Sequence, residues 1–429
     1  MANDFDSNIT RKLARQFLPA FETQRVLSKS VNTQFLKDMP FNPTSGTTID
    51  IKRPTDYVSQ RTATGDITAG APDNDIITGK ASAVVQDYFT VDVEFNRVDE
   101  AIKMDQLDEL LAPMATRIVT DMEVDFASYM MKNCNLSVGD PDTSVTAWAE
   151  VAEAGALMDS VGVPGGPGDR CYVINPYTQT TLAGVQNSLN TAEDLVRPAF
   201  VDAVVNNNFA GMRVMKATAL GTYIGGDLAD RIGTLSGTPT ATYLAAKDTM
   251  TQNLAVTGLT ATGTVRAGSI IEVTDNSRNR LNISTKQEII GNAGGNVKWR
   301  ATVTADVTLV AGAGTLVCAG PAIYGTGDTA GHNTVSSALT TGDAIEILGT
   351  ANTTYQPNMF FHKDAFTIGS VPLPKLYATD TLLTTNDGLQ IRISKFADGL
   401  ANKQMVRFDF QPAYGTFNPF FAGQGYGNP

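Results

Sequence analysis

The most reactive side chains in this sequence do not combine into a catalytic or metal site. The two histidines stand apart, His332 in a glycine-rich stretch and His362 after two phenylalanines. Neither has a glutamate or cysteine at the spacing of a zinc ligand set, which favours roles in a loop and in the core. The three cysteines, Cys134, Cys171 and Cys318, are odd in number and far apart. They predict free thiols in a reducing compartment rather than a disulfide framework.

The glycine-rich stretches do not meet the requirements of a phosphate-binding loop. The TGK at 78–80 has Ala81 after its lysine, and Asn74 stands where the first glycine is needed. GGPGD (165–169) and GTGDTAG (325–331) lack the flanking strand and helix of a dinucleotide fingerprint. There is no GxSxG phrase, and the carboxylates between 97 and 133 fit a solvated helix face. We expect no catalytic residue, no cofactor and no metal.

Composition and charge limit the function classes further. The chain has 429 residues, 42% hydrophobic and 18% charged, enough for two or three globular domains. A net charge of −12 argues against broad contact with nucleic acid, because neutralising phosphates requires clustered lysine and arginine. The start, MANDFDSN, lacks the apolar region of a secretory signal, and no apolar run approaches the roughly 18 residues of a membrane span. The sequence predicts a soluble protein made in the cytoplasm.

The longest helical pattern runs from Arg97 to Asn133. Pro113 in its middle removes a donor and predicts a kink or a split. A helix of this length would span roughly 50 Å, longer than a compact domain needs, so we predict a strut. Apolar residues recur at steps of three and four and so share one face: Leu107, Leu111, Met114, Ile118, Met122, Phe126 and Tyr129. Charged residues fill much of the remainder: Asp105, Asp108, Glu109, Arg117, Asp121, Glu123 and Asp125.

Residues 41–96 predict a long hairpin. A strand near Ile49–Arg53 ends at Pro54, and a second, from about Ala83 to Asn96, alternates apolar and polar residues. The polar excursion between them has no core of its own, so the hairpin either packs on its own domain or reaches a neighbouring subunit. Before it, about Asn8–Ser28 predicts a short amphipathic helix that must dock on something.

Residues 137–225 predict a mixed α/β domain, and residues 226–352 a different, β-rich one. The first part predicts helices at Asp142–Ser160, from near Thr178 and at Val196–Val205, and strands at Arg170–Ile174 and Met212–Ala217. In the second part glycine, threonine and alanine dominate and helix periodicity vanishes, which favours an inserted small β-barrel or sandwich. Its predicted strands are Leu254–Leu259, Ser269–Thr274, Lys298–Thr304, Thr315–Ala319 and Ala344–Leu348. Two phrases echo each other, RAGSIIEV (266–273) and TTGDAIEIL (340–348).

The earlier pattern returns from Gln356. Leu389, Ile391 and Ile393 alternate with polar residues and predict a strand, and Met405–Phe410 predicts a second after a turn. The end, FNPFFAGQGYGNP (417–429), is aromatic and glycine-rich and predicts little regular structure.

This order of features resembles the major capsid proteins of tailed bacteriophages, which have the HK-ninety-seven fold. The coat proteins of short-tailed phages of the P-twenty-two type are more similar still. The matching phrases cover most of the chain outside 226–352, and their shared order carries the resemblance. In the hairpin they comprise Arg53, Pro54, Arg61, Thr62, Thr64, Gly65, Asp66 and Ile67. Elsewhere they are TGKA (78–81), EAIKMDQLDELLAP (100–113), RIVTDME (117–123), NNFAGMRV (207–214), SVPLPKL (370–376) and RFDFQPAYGTFNP (407–419).

The resemblance implies an α+β fold in seven consecutive parts. These are an N-terminal arm (1–40), an extended loop (41–96), the spine helix of a peripheral domain (97–136), an axial domain (137–225), an inserted β-barrel domain (226–352), a return to the axial domain (353–380), and peripheral strands with the C-terminal tail (381–429).

The resemblance also implies a structural protein and not an enzyme. A major capsid protein of this type assembles with itself as hexamers and pentamers into an icosahedral virion shell. It first forms a procapsid on a scaffolding protein in the bacterial host cytoplasm, and the procapsid expands as double-stranded DNA is packaged. A portal protein occupies one vertex, the DNA is enclosed without sequence-specific binding, and no membrane is involved.

Three groups of residues are candidates for contacts. The loop tip would form ion pairs between subunits through Arg61, Asp66, Asp73, Asp75 and Lys80. The arm would meet scaffold through Asp4, Asp6, Arg11, Lys12 and Arg15. The segment Asn276–Arg280, with Arg278 and Arg280, would be a contact loop of the insert. The alternative for any of these residues is a solvated surface side chain.

Two other function classes remain as alternatives. Glycine, threonine and asparagine in the insert would suit a β-rich phage tail or adhesin-type binding protein, against which the strut and the α/β domain count. An enzyme ranks third because histidine is scarce, and the leading candidate in that class is a hydrolase with an unrecognised dyad.

Overall fold

The computed structural model divides the chain into two compact units. It describes residues 25–33, 47–52, 56–59, 61–68, 79–96, 107–166, 168–186, 204–240, 243–246, 250–275, 277–292, 294–377, 380–385, 387–398 and 403–428. The first unit draws its residues from Met1–Ile51, Ser82–Ala127 and Phe366–Gly415, and the second from Lys52–Ala81, Ser128–Ala365 and Thr416–Pro429.

The helices and strands are numbered in chain order. The helices are α1 (Leu107–Lys132), α2 (Trp148–Val161), α3 (Pro176–Gln186) and the single turn α4 (Tyr243–Ala246). The first strands are β1 (Thr48–Lys52), β2 (Lys80–Val85), β3 (Phe89–Asn96), β4 (Leu136–Val138), β5 (Arg170–Ile174), β6 (Val204–Phe209), β7 (Met212–Lys216) and β8 (Tyr223–Ile224). The middle strands are β9 (Ile232–Leu235), β10 (Thr251–Thr257), β11 (Thr262–Val265), β12 (Ile270–Val273), β13 (Arg300–Val303), β14 (Val307–Val310), β15 (Gly314–Ala319) and β16 (Ala344–Ile347). The last strands are β17 (Thr354–Tyr355), β18 (Asn358–His362), β19 (Phe366–Ser370), β20 (Thr381–Thr384), β21 (Gln390–Asp398), β22 (Lys403–Phe410), β23 (Pro412–Thr416) and β24 (Ala422–Gly425).

The first unit consists of two four-stranded sheets and most of α1. The strand orders are β1-β2-β23-β19 and β20-β21-β22-β3. Phe408 of β22 lies opposite Ile393 of β21 and Val91 of β3, so alternate residues of these strands share one apolar face. The ring of Phe126 in α1 lies 5.0 Å from that of Tyr414 in β23. The helix therefore buries its apolar face on the unit's own strands.

The periodicity of α1 is confirmed where its side chains are described. Met114, Ile118, Met122 and Phe126 are all buried. Of the two outcomes expected at Pro113, the split is wrong, because α1 continues through it as one helix, and the kink stays a prediction. Pro113 is exposed, on the side of the helix that faces water. Residues 97–106, where the sequence predicts the start of the strut, lie outside the described part of the chain.

The single strand expected from Ala83 to Asn96 is wrong. The chain forms two strands there, β2 and β3, separated by residues 86–88. β2 pairs with β23, whereas β3 pairs along its whole length with β22 of the other sheet. The break lets one stretch of chain serve two sheets, and strands that follow more than 300 residues later select the pairing.

The second unit contains a mixed six-stranded sheet in the order β4-β24-β18-β5-β7-β6. α2 packs on it through a core that includes Trp148, Val151 and Met158. The helix starts at Trp148, later than predicted, where the Glu150 carboxylate accepts the Ala147 N–H at 3.1 Å. The helix expected at Val196–Val205 is wrong at its end, because β6 begins at Val204 and pairs with β7, and residues 196–203 lie outside the described part of the chain.

The tail contains regular structure, contrary to expectation. β24 lies between β4 and β18, and all four of its residues are buried. The ring of Phe360 and the side chain of Leu136 occupy the space where a Cβ at Gly423 would lie. The glycines that suggested an irregular end are there because neighbouring side chains cross the strand closely.

The insert is a closed antiparallel barrel. Of the two forms expected from the sequence, a small barrel or a sandwich, the barrel is the one observed. Its order is β10-β15-β13-β12-β16-β9 around a core that includes Leu254, Ile271, Trp299 and Leu316. The two echoing phrases form the neighbouring strands β12 and β16, in which Ile271 lies opposite Ile347. The sequence pattern missed β9, which closes the barrel by pairing with β10 and β16. The α+β class with an inserted small barrel is confirmed.

Candidate assembly surfaces

The extended loop is solvated at its described tip. Every residue from Arg61 to Thr68 is exposed, and Lys80 at the start of β2 is exposed too. Asp66 Oδ1 accepts hydrogen bonds from the backbone N–H and the hydroxyl of Thr68, at 3.0 and 2.6 Å. These bonds hold the pKa of Asp66 below its usual value. The tip is thus locally ordered but buries nothing of its own.

Some of the residues predicted to form contacts in the loop and the arm lie outside the described part of the chain. Asp73 and Asp75 of the loop lie outside the described residues. The same holds for the arm residues Asp4, Asp6, Arg11, Lys12 and Arg15. These assignments stay predictions.

Arg278 of the predicted contact loop is bound within its own domain. Its guanidinium donates to both carboxylate oxygens of Asp343, at 2.8 and 3.0 Å, and to Ser337 and Thr340. The hydrogen bond to Asp343 raises the pKa of Arg278. Burial alone would raise the pKa of Asp343, but the bonds from Arg278 and Thr340 lower it overall. This fork-shaped pair holds two barrel-domain loops together.

Arg280 is buried and joins the barrel to the six-stranded sheet. Its guanidinium donates to Asn135 Oδ1 at 2.6 Å and to the Arg300 carbonyl at 2.8 Å. Asn135 Nδ2 donates in turn to the carbonyls of Ala319 and Gly320, at 2.9 and 3.1 Å. Burial and the charge of Arg300 lower the pKa of Arg280 to about 9, so it stays protonated at neutral pH. As a subunit contact Arg280 remains a prediction, and its described bonds lie inside the chain.

This joint is a feature that sequence reasoning missed. Asn135 stands between α1 and β4, and nothing in the surrounding letters marks it as a partner for a barrel arginine 145 residues away. Arg300 completes the joint by pairing with Glu272 at 2.5 Å and by donating to the Gly139 carbonyl at 3.1 Å. A cleft of about 690 Å³ lies beside it, lined by the sheet, α2 and the barrel domain.

Glu123 corrects the expectation that the charges of α1 lie on a solvated face. It is 3% exposed, and its carboxylate accepts the backbone N–H groups of Leu27 and Ser28 at 2.8 and 3.0 Å. The Ser28 hydroxyl also donates to it. Arg25 closes the turn by donating to Ser28 Oγ at 2.7 Å and pairing with Asp387 at 3.0 Å. The carboxylate therefore anchors the end of the arm on α1.

The histidines and cysteines form no metal site within the part of the chain that the structure describes. His332 is nearly buried and packs edge-on against the Tyr243 ring at 6.1 Å. Cys134 and Cys318 are buried free thiols, and burial raises their pKa to about 11 and about 12. Among the described residues no helix is long and apolar enough to cross a bilayer.

Comparisons with known proteins agree along the full length. Residues 1–427 match the family model described as P22 coat protein - gene protein 5. A "Major capsid protein" of Acyrthosiphon pisum secondary endosymbiont phage 1 is 38% identical over 432 residues, covering 100% of both chains.

Solved phage structures are also similar, with much lower sequence identity. A Mycobacterium phage Che8 chain has a TM-score of 0.45 and 12% identity, covering 94% of this chain and 91% of that one. The capsid of Ralstonia phage GP4 gives a TM-score of 0.43 and 7% identity, covering 90% and 84%. The family of this chain is established by the family model and by the 38% identical capsid protein, and both confirm the resemblance described from the sequence. The chain belongs to the P22 coat protein family of phage capsid proteins.

Proposed function

We propose that this chain assembles with itself, as hexamers and pentamers, into the icosahedral shell of a phage head. Shell growth would start on a scaffolding protein in the host cytoplasm, incorporate a portal protein at one vertex, and end with double-stranded DNA inside. The observation that carries the proposal is the exposed loop tip from Arg61 to Thr68 in a member of a coat protein family. A polar loop without a core of its own gains stability by lying on another subunit.

We infer roles for the seven parts on the same basis. The barrel strands lie between Ile232 and Ile347, which supports an inserted domain at 226–352. β18 belongs to the second unit and β19 to the first, so the proposed return to the axial domain, 353–380, spans residues of both units. Arg61, Asp66 and Lys80 remain our proposed subunit contacts at the loop.

We also propose that an acidic surface repels one partner, the packaged DNA, and attracts another, the scaffolding protein. With a net charge of −12, an acidic inner face would repel packaged DNA and attract basic segments of the scaffold. Asp121 and Asp125 of α1 are at least partly exposed and can contribute to it. Scaffold binding should then weaken markedly between about 0.05 and about 0.5 M salt. Binding that ignores salt would leave these carboxylates a role in solubility only.

The experiment is sedimentation velocity with negative-stain microscopy on the purified chain, alone and with the scaffolding protein encoded beside it. We expect closed shells, more uniform in size when scaffold is present. A monomer or trimer that never closes would contradict the proposal. Arg61→Glu should raise the protein concentration needed for assembly roughly two- to fivefold. Arg61→Lys keeps the charge and serves as the matched control, with assembly close to that of the unchanged chain.

A further inference from the structure

Both stems of the extended loop lie against one surface of the inserted barrel domain. We define the stems as residues 56–59 before the exposed tip and Gly79 after it. All of these residues belong to the second unit, together with the insert. The surface that they meet is formed by Tyr243, Lys286, Gly331 and His332, and we call it the stem dock.

The first stem is held by charge and by close backbone packing. Asp56 Oδ2 lies 3.2 Å from Lys286 Nζ, and this ion pair is partly shielded from water. The backbone of Tyr57 passes over Gly331, so that a Cβ there would come within 3.1 Å of the Tyr57 carbonyl carbon. A residue with a side chain at 331 would push the stem away. The groove between stem and insert, about 530 Å³, is lined by residues 56–59 on one side and 281–288 and 330–336 on the other.

The second stem is held by an aromatic ring. Gly79 is buried, and the Tyr243 ring occupies the space where a Cβ at Gly79 would lie. Tyr243 is itself only 3% exposed and packs on His332, which follows Gly331. The contacts of the two stems are therefore neighbours on one surface.

We propose that the inserted domain is the dock for the extended loop of its own chain, and that it sets the direction in which the exposed tip leaves the subunit. A loop held at both stems explores less space than one whose stems are free, which lowers the entropy cost of placing its tip. The insert thereby acts on assembly through a loop that it holds. This inference goes beyond the proposed shell function and concerns the free subunit.

The test is limited proteolysis of the full-length monomer with an arginine-specific protease, following cleavage of the Arg61–Thr62 bond by mass spectrometry. A protease needs several residues on each side of the bond in an extended form, so cleavage reports how often the first stem leaves the dock. Lys286→Glu places two carboxylates together and should speed cleavage roughly two- to fivefold. Gly331→Val should speed it as well. The exchanged pair Asp56→Lys with Lys286→Glu restores opposite charges without adding an arginine, and its rate should return toward the original.

A matched control comes from another ion pair of the same unit. Lys363 pairs with Asp169 at 2.8 Å, and its side chain is 49% exposed, against 25% for Lys286 in the stem pair. Lys363→Glu should leave the Arg61 cleavage rate unchanged. The inference is overturned if Lys286→Glu and Gly331→Val, both folded by circular dichroism, leave the rate unchanged, or if Lys363→Glu accelerates it equally. Because no shell forms in this assay, failure of the dock is distinguished from failure of the proposed function.

Discussion

At the scale of single residues, Glu123 illustrates how a charge becomes structural. A buried carboxylate is stable only when hydrogen bonds replace its lost water, and here three backbone N–H groups and a hydroxyl do so. Its donors lie about 95 residues away in the chain. The sequence pattern placed Glu123 with the solvated charges because periodicity describes only the helix itself.

Replacing Glu123 by glutamine should destabilise the first unit. The amide keeps the shape but loses the charge and presents a donor to groups that are themselves donors, which costs about 1.5–3 kcal/mol. Urea denaturation would measure the loss in the free energy of unfolding. Asp121→Asn is the matched control, because the Asp121 carboxylate pairs with Arg117 at 2.9 Å on an exposed part of the same helix. The Asp121→Asn variant should lose less than about 1 kcal/mol in its free energy of unfolding. Equal losses for the two variants would refute the anchoring role.

His332 should make the folded second unit sensitive to acid. Burial lowers its pKa, while Asp56 from the stem opposes that shift and Lys286 from the barrel adds to it. The Tyr243 ring also faces it. A lowered pKa means that the folded state favours neutral imidazole, so this stabilisation is complete above the usual pKa of about 6.5 and is lost as pH falls below it.

The free energy of unfolding of the second unit, measured by urea denaturation, should therefore fall as the pH drops from about 8 to about 5. In His332→Gln this free energy should depend less on pH. An equal pH dependence in the two proteins would show that the histidine does not contribute to it.

At the scale of helices and strands, sequence patterns correctly predicted the features that depend on residues close together in the chain. The buried stripe of α1 followed from apolar spacing, and the β-rich texture of the insert predicted a barrel whose echoing strands are neighbours. The break between β2 and β3 could not be predicted, because β23 and β22 select it from far along the chain. The contact between Asn135 and Arg280 could not be predicted either, because its two residues are 145 positions apart in the chain.

Glycine in β24 offers a test at this scale. Gly423→Ala would place a methyl group against the Phe360 ring and Leu136, and overpacking of this kind costs about 1–3 kcal/mol. Gly184→Ala is the control, since a Cβ there meets nothing and alanine favours the α3 helix by about 0.5–1 kcal/mol. Thermal unfolding should therefore shift down for the first variant and slightly up for the second. A neutral Gly423→Ala would mean that the strand has room to move.

At the scale of the whole molecule, each unit is assembled from three separated stretches of sequence. Contacts between distant stretches must wait for long loops to close, which makes such folds slow to form. The barrel is different, because its strands come from one continuous stretch and its closure leaves no open sheet edge. We infer that the insert can form early and that Asn135 and Arg280 then join it to the later sheet.

The position of β24 has a consequence for synthesis on the ribosome. This strand follows all the others in chain order, yet it separates β4 from β18 within the six-stranded sheet. A nascent chain halted before residue 422 would carry every other strand of that sheet and lack the one that joins β4 to the remaining four. We therefore expect truncated translation products to leave this sheet of the second unit incomplete.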